Sequence, residues 1–303
     1  DEVAQACLES GIRASLAQGL IGTDKIKGAL GLQQSRSLVQ NWHNEGEGRI
    51  TVMLGPHAPY TCPPHYLRKV GELAGELQVP IHIHLAETRR EIEESLQEYG
   101  KTPLELIVEA GLLEHDLLAA HCVYLSPAEI ELLAAKNAAV AHNPGSNLKL
   151  GSGVAPVVEL LQKGALVSLG TDGAASNNNL DLLEEMRLAA LLQKGVREDP
   201  TVIPAETAFK MATVNGARAL FLPVKTGQLK VGAKADLAVL KINKPHYSPP
   251  HNLLAHFVYS AAAADVDLVM VDGRVLMENG LLLTLDEERI LFEAPPRAQR
   301  LTK

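Results

Sequence analysis

The stretch PIHIHLAET, Pro80–Thr88, alternates apolar residues with His82 and His84 and delivers Glu87 three residues later. A period of two puts both imidazoles on one face of a strand and Ile81 and Ile83 on the other. A neutral imidazole suits Zn²⁺ or Fe²⁺. A second apolar run, LVSLG, ends on Asp172 and opens into a Gly/Ala/Ser/Asn loop. A carboxylate there is costly to bury unless it is paired or metal-bound. Asp172 is therefore expected to act as a hard ligand and to take a proton from a bound water. Glu87, one short turn beyond its strand, is placed to shuttle a proton to a ring nitrogen if burial raises its pKa. Each residue also has a plain reading. A lone strand histidine is usually a bonded core residue, Glu87 could simply favour the dipole of a helix capped by Thr88, and Asp172 could cap its loop. Their occurrence together favours a hydrolytic metal site.

Further histidines end other apolar runs. His121, in LLAAHCVYL, is expected to touch the metal's water or orient substrate. His57, in MLGPHAPYTCP, sits between Pro56 and Pro59, which stiffen its loop for a substrate contact, or else serves the turn. His142, before Asn143-Pro144, reads as a turn residue. His43, His65 and His115 read as surface residues, and His246, His251 and His256 carry little functional weight. No GxGxxG, Walker, GxSxG or HxE…PCxxC pattern occurs, so nucleotide-phosphate binding, serine esterase and cytidine-deaminase chemistry lack support.

The elements that must position these residues alternate. Strands are expected over 14–21, 50–55, 80–85, 117–122, 138–142 and 165–170. Helices are expected over 64–78, 89–99, 103–110, 127–136 and 155–163, several opening with Pro. This order predicts a parallel sheet, and chemistry at strand C-terminal ends favours a (β/α)8 TIM-type barrel. Six strands fall short of eight. The opening DEVAQACLESGIRASLAQGL reads as a helix running straight into a strand, so the first two strands are expected to be missing from an N-terminally truncated chain. A helical pair, 181–194 and 205–220, closes this part. After Pro223 the texture becomes Val/Leu-rich, with Asp272-Gly273 as a hairpin turn. The expected domains are a partial hydrolase barrel over 1–222 and part of a small β-sandwich, with an uninformative charged tail from Asp286, over 223–303.

Composition narrows the class. The chain has 303 residues, 46% hydrophobic content and a net charge of −8. That is enough for a large core, and the wrong sign for binding nucleic acid. No apolar stretch approaches a membrane span. Three cysteines without paired spacing read as free thiols of a cytoplasmic protein.

Several strings together are highly specific: GPHAPYTCP, HIHLAET, AAHCVYL, AHNPGSNLKLGSG, LGTDGAASNNNLDLLEEMRLAALL, MATVNGARAL and GQLKVGAKADLAVL. By them the chain resembles the amidohydrolase superfamily, specifically the 5-methylthioadenosine/S-adenosylhomocysteine deaminases and neighbouring chlorohydrolase-like deaminases. The resemblance implies His84 and Asp172 as ligands to one zinc (or iron) per subunit. It implies Glu87 as the catalytic acid that also contacts the purine, His121 as the histidine beside the metal's hydroxide, and His57 as a substrate contact. It implies a purine nucleoside substrate and a homo-oligomer. The chain departs from the family in lacking the His-x-His pair of the first strand, which supplies two of four ligands. Two ligands alone make a weak, open site. A basic residue for the substrate tail is sought among Arg13, Lys25, Lys27 and Arg36. Rival readings are a deaminase or dechlorinase of another ring, such as guanine, 8-oxoguanine or a triazine, and an inactive fragment that needs a complementary piece.

Overall fold

The computed structural model describes residues 1–136, 138–222 and 224–301. Pro223, where the domain boundary was expected, lies outside them. Six parallel strands form one sheet: β1 (Ala14–Leu20), β2 (Ile50–Pro56), β3 (Ile81–Leu85), β4 (Leu117–His121), β5 (Ala139–His142) and β6 (Leu166–Leu169). Their spatial order is their chain order. Doubly wound sheets reverse direction at a switch point, whereas a barrel adds strands in sequence. Among the described residues no pairing joins β1 to β6.

Helices connect the strands, and local chemistry explains their starts. Thr102 and Ser126 accept from the N–H groups of Glu105 and Glu129, whose carboxylates bond back to the capping residues, and Pro103 and Pro127 follow at the first helical positions. The core lies between sheet and helices. It contains Ile81, Ile83 and Leu85 of β3, Leu117 and Ala119 of β4, and Val140 and Val167. The opposite face carries His82, His84, Leu118, Ala120, Ala141 and Ser168. The sequence alternation thus separates a packing face from a chemical one.

A second sheet is antiparallel, in the order β10-β9-β8-β7: β7 (Leu237–Leu240), β8 (Val266–Val271), β9 (Arg274–Glu278) and β10 (Leu281–Leu282). Asp272 and Gly273 join β8 to β9 with φ of 51° and 82°, the left-handed pair that a two-residue hairpin turn requires. Arg13, just before β1, reaches the second sheet with a two-pronged ion pair to Asp236, at 2.5 and 2.9 Å. Asp236 also accepts from the Asp272 N–H at 2.8 Å.

One expectation needs correction, and two long helices add to the elements read from the sequence. The tail is a helix, Glu287–Leu301, although Pro295 and Pro296 lie within it and argue against one in sequence. The 205–220 helix is two helices, Ala205–Ala212 and Val214–Ala219, broken at Thr213 with φ −124° and ψ −97°. An 18-residue helix, Lys25–Trp42, was not anticipated, since Gly28 and Gly31 weaken its helical signal. Gly28 is needed for close approach, because a Cβ there would lie 2.9 Å from the ring of Tyr66, whose hydroxyl donates to the Gly28 carbonyl.

Candidate active site

The candidate residues converge beyond the C-terminal ends of the parallel strands. His84 pairs with Ala120 in the β3–β4 register. Its ring lies 5.4 Å from that of His121, 5.1 Å from that of His57 and 6.4 Å from that of His82. Strand alternation alone would send His121 to the helix side with Leu117 and Ala119. Instead the backbone turns left-handed at His121 and Cys122, with φ of 73° and 51°, and the ring stacks on His84. Ala86 (φ 52°) and Asp172 (φ 64°) are left-handed too. Non-glycine residues in this region cost on the order of 1–3 kcal/mol each, and such strain gathers where geometry serves chemistry.

Hydrogen bonds fix the ring tautomers. Nδ1 of His84 is 2.6 Å from the His57 carbonyl, which can only accept, so His84 carries its proton on Nδ1. Nδ1 of His121 donates to Oδ1 of Asn147 at 2.8 Å. The Thr61 hydroxyl gives its proton to the Ala58 carbonyl, so Nδ1 of His57, 2.8 Å from it, must donate. In the neutral form of each ring, Nε2 then carries the lone pair that a metal or a proton can use. One ring nitrogen each from His84 and His121 and a carboxylate oxygen of Asp172 lie within 4.8 Å of one another. Two neutral imidazoles and a carboxylate fit a zinc-type donor set. The structure therefore places His121 within the same 4.8 Å as the two ligands expected, close enough to act on whatever they hold.

Burial pushes the Asp172 carboxyl up, but bonds from the Ser146 hydroxyl and the Gly173 N–H outweigh it and hold the group below its ordinary value. Glu87 accepts on Oε1 from the Ser152 hydroxyl at 2.9 Å, and Oε2 lies 3.8 Å from Nε2 of His121. Its backbone N–H donates to Glu91 at 2.7 Å, and Glu91 also accepts from Ala86. Burial lowers the pKa of His57, and His84 lowers it further. His82 is driven to about 4 by burial and then by His84 and His121, so it is a neutral neighbour. His142, expected at a turn, is fully buried with both ring nitrogens unpaired, and burial takes it to about 3.

His82, His84 and Asp172 line a cavity of about 240 Å³ with Ala120, Asn143 and Ser168. A larger cleft, about 460 Å³, lies between Tyr60 and the helix Arg89–Tyr99, outside the histidine cluster. Two tail-binding candidates are spoken for: Arg13 is committed to Asp236, and Arg36 pairs with Glu76. Lys25 and Lys27 are exposed in the first turn after Asp24. His43, taken as a surface residue, is partly buried and accepts from the Val52 N–H. Ser146, Asn147, Ser152 and Glu91 were not singled out from the sequence. Polar residues in a loop carry no period, although SNLKLGS lies within a matching string.

A parallel β/α sheet with two imidazoles and a carboxylate meeting at its strand ends defines a metal-dependent hydrolase. The chain belongs to the amidohydrolase family, whose model matches residues 1–276. It is 54% identical over 301 residues to a 5-methylthioadenosine/S-adenosylhomocysteine deaminase of Desulforudis audaxviator, covering 99% of this chain and 70% of that one. The Moorella thermoacetica protein of the same name is 53% identical over 300 residues, with 99% and 70% covered. The structure is similar to a zinc-bound adenosine deaminase of Xanthomonas campestris, with TM-score 0.93, 32% identity, and 99% and 68% of the two chains covered. It is also similar to the zinc complex of atrazine chlorohydrolase TrzN from Arthrobacter aurescens TC1, with TM-score 0.87, 28% identity, and 96% and 67% covered. Among the described residues no helix is long and apolar enough to cross a membrane.

Proposed function

We propose that the chain carries out hydrolytic deamination of an adenosine derivative, 5′-methylthioadenosine, S-adenosylhomocysteine or adenosine. Water displaces the C6 amino group, leaving the inosine analogue and ammonia. The observation that carries this reading is 54% identity to a 5-methylthioadenosine/S-adenosylhomocysteine deaminase across 99% of the chain, beside the cluster of His84, His121 and Asp172.

In this reading His84 and Asp172 hold one zinc or iron ion. When bound, the metal supplies a Lewis acid that acidifies water. Asp172, with Nε2 of His121 beside it, would accept the proton that water loses on adding to C6 and return it to the amino group, which leaves as ammonia, while the added hydroxyl would give its own proton back to Glu87 as the C6 carbonyl forms. Glu87, held through Oε1 by Ser152, keeps Oε2 free to protonate the ring nitrogen beside the attacked carbon. His57 contacts the nucleoside from its Pro-flanked loop.

We read the six-stranded sheet, in which β1 and β6 are the edges among the described residues, as part of a (β/α)8 barrel over residues 1–222, beside part of a β-sandwich over 223–303. Three free cysteines support a reducing, cytoplasmic location. The likeness to the triazine enzyme supports a second reading, displacement on another ring. Ammonia release by the zinc-loaded protein from the three adenosine derivatives, and turnover of guanine and atrazine, separates the two. Release from the adenosine derivatives is expected. Turnover of guanine or atrazine alone would overturn the first reading.

A further inference from the structure

We propose that the segment following β5, residues 143–152, is a single orienting bracket for the reacting groups, with Ser146 and Ser152 as positioning residues. Its part in turnover rests on the deaminase reading, and its part in metal retention does not. Three side chains of this short segment each engage a different site residue. Ser146 donates to Oδ2 of Asp172 at 2.7 Å, Asn147 accepts from Nδ1 of His121 at 2.8 Å, and Ser152 donates to Oε1 of Glu87 at 2.9 Å. All three are buried: Ser146 is 0% exposed, Asn147 1% and Ser152 4%. Buried polar groups are mostly hydrogen-bonded, and here the Ser146 and Ser152 hydroxyls and Oδ1 of Asn147 each find their partner in a site residue.

The segment is itself anchored. The Gly145 N–H donates to Oε2 of Glu185 at 2.8 Å, and Oε1 of Glu185 accepts from Asn177 at 2.7 Å. Asn177 ends the short helix Ala174–Asn177 that follows Asp172. One buried carboxylate therefore ties the bracket to the segment that follows the metal ligand. A Cβ at position 145 would stand 2.2 Å from Glu185, so only glycine lets the two approach this closely.

The consequences differ by residue. Ser152 selects which Glu87 oxygen is occupied and leaves Oε2 beside His121. Ser146, on Oδ2, shares with the Gly173 N–H, on Oδ1, the work of holding the Asp172 carboxylate in place. Misplacing a reacting group by about 1 Å costs on the order of 100-fold in rate, and losing a partner of a metal ligand costs about 10- to 100-fold in metal affinity.

The test uses the zinc-loaded protein and its variants Ser146→Ala, Ser152→Ala and Ser152→Thr. Deamination kinetics, zinc transfer to a chromophoric chelator and thermal melting are measured on each. Ser152→Ala is expected to lower kcat on the order of 10- to 100-fold with KM, zinc retention and melting unchanged, and Ser152→Thr to restore most of it, because the hydroxyl returns. Ser146→Ala is expected to release zinc about 10-fold more readily. Parallel losses of rate, zinc and melting temperature in both alanine variants would overturn the proposal, as would variants that match the parent. If the parent deaminates no adenosine derivative, the functional reading fails on its own. Zinc release faster in Ser146→Ala than in Ser152→Ala would still support the bracket, and equal release would overturn it.

Discussion

Nδ1 of His84 donates to the backbone carbonyl of His57 across 2.6 Å, so the loop that presents one site histidine also sets the tautomer of the next. The acceptor is main chain, and no side-chain replacement at position 57 can remove it. His57 and His84 should therefore separate cleanly in mutagenesis. His84→Ala is expected to abolish stoichiometric zinc binding in equilibrium dialysis, because a donor is lost outright. His57→Ala is expected to keep zinc and to raise KM for the nucleoside. Zinc retention by His84→Ala would remove it from the ligand set.

Glu87→Gln preserves the acceptor for Ser152 and the backbone bond to Glu91, but cannot pass a proton. Zinc content and melting temperature should match the parent while kcat falls by about 10²- to 10⁴-fold, the usual worth of a positioned acid or base. Ordinary turnover in this variant would exclude Glu87 as the proton carrier.

Cysteine reactivity reports burial. Burial raises the pKa of Cys62, and that of Cys122 is pushed far above the ordinary thiol range, while Cys7 is only partly covered. Thiolates are the reactive form. A thiol-disulfide reagent should label Cys7 first, with Cys62 and Cys122 reacting only on unfolding. Fast native labelling of all three would contradict the packing of β4 against its helices.

Strand positions were legible because apolar runs ending in His84, His121 and Asp172 are dense local signals. The direction of His121 was not. Alternation along β4 predicts the wrong face, and the left-handed φ of 73° that re-aims it arises from tertiary packing, without a glycine to announce it. The residues 143–152 likewise show Ser, Asn and Gly, which read as loop chemistry. Only folding reveals that Ser146, Asn147 and Ser152 face three different strand ends. The pairing of Arg13 with Asp236 spans 223 positions and has no local signature at all.

That pair yields a pH prediction. The Arg13 and Asp236 side chains are only 8% and 16% exposed. Burial raises the Asp236 carboxyl, but the Arg13 guanidinium and the Asp272 N–H pull it below its ordinary value. A depressed carboxylate contributes stability that is fully present above its unfolded pKa, about 3.9, and is lost as pH falls through the folded value. Asp236→Asn leaves Arg13 buried without its counter-charge, so at neutral pH it should cost about 3 kcal/mol. Below about pH 4 the parent progressively loses the same interaction, and the two stability curves should converge. Asp265, also strongly depressed as Lys244, Tyr247 and the Ala262 N–H overcome its burial, titrates in both proteins and cancels in the difference. Urea unfolding of parent and variant across the acid range measures this. A difference that stays constant down to the lowest pH would mean that the Asp236 charge does not hold the second sheet to the start of β1.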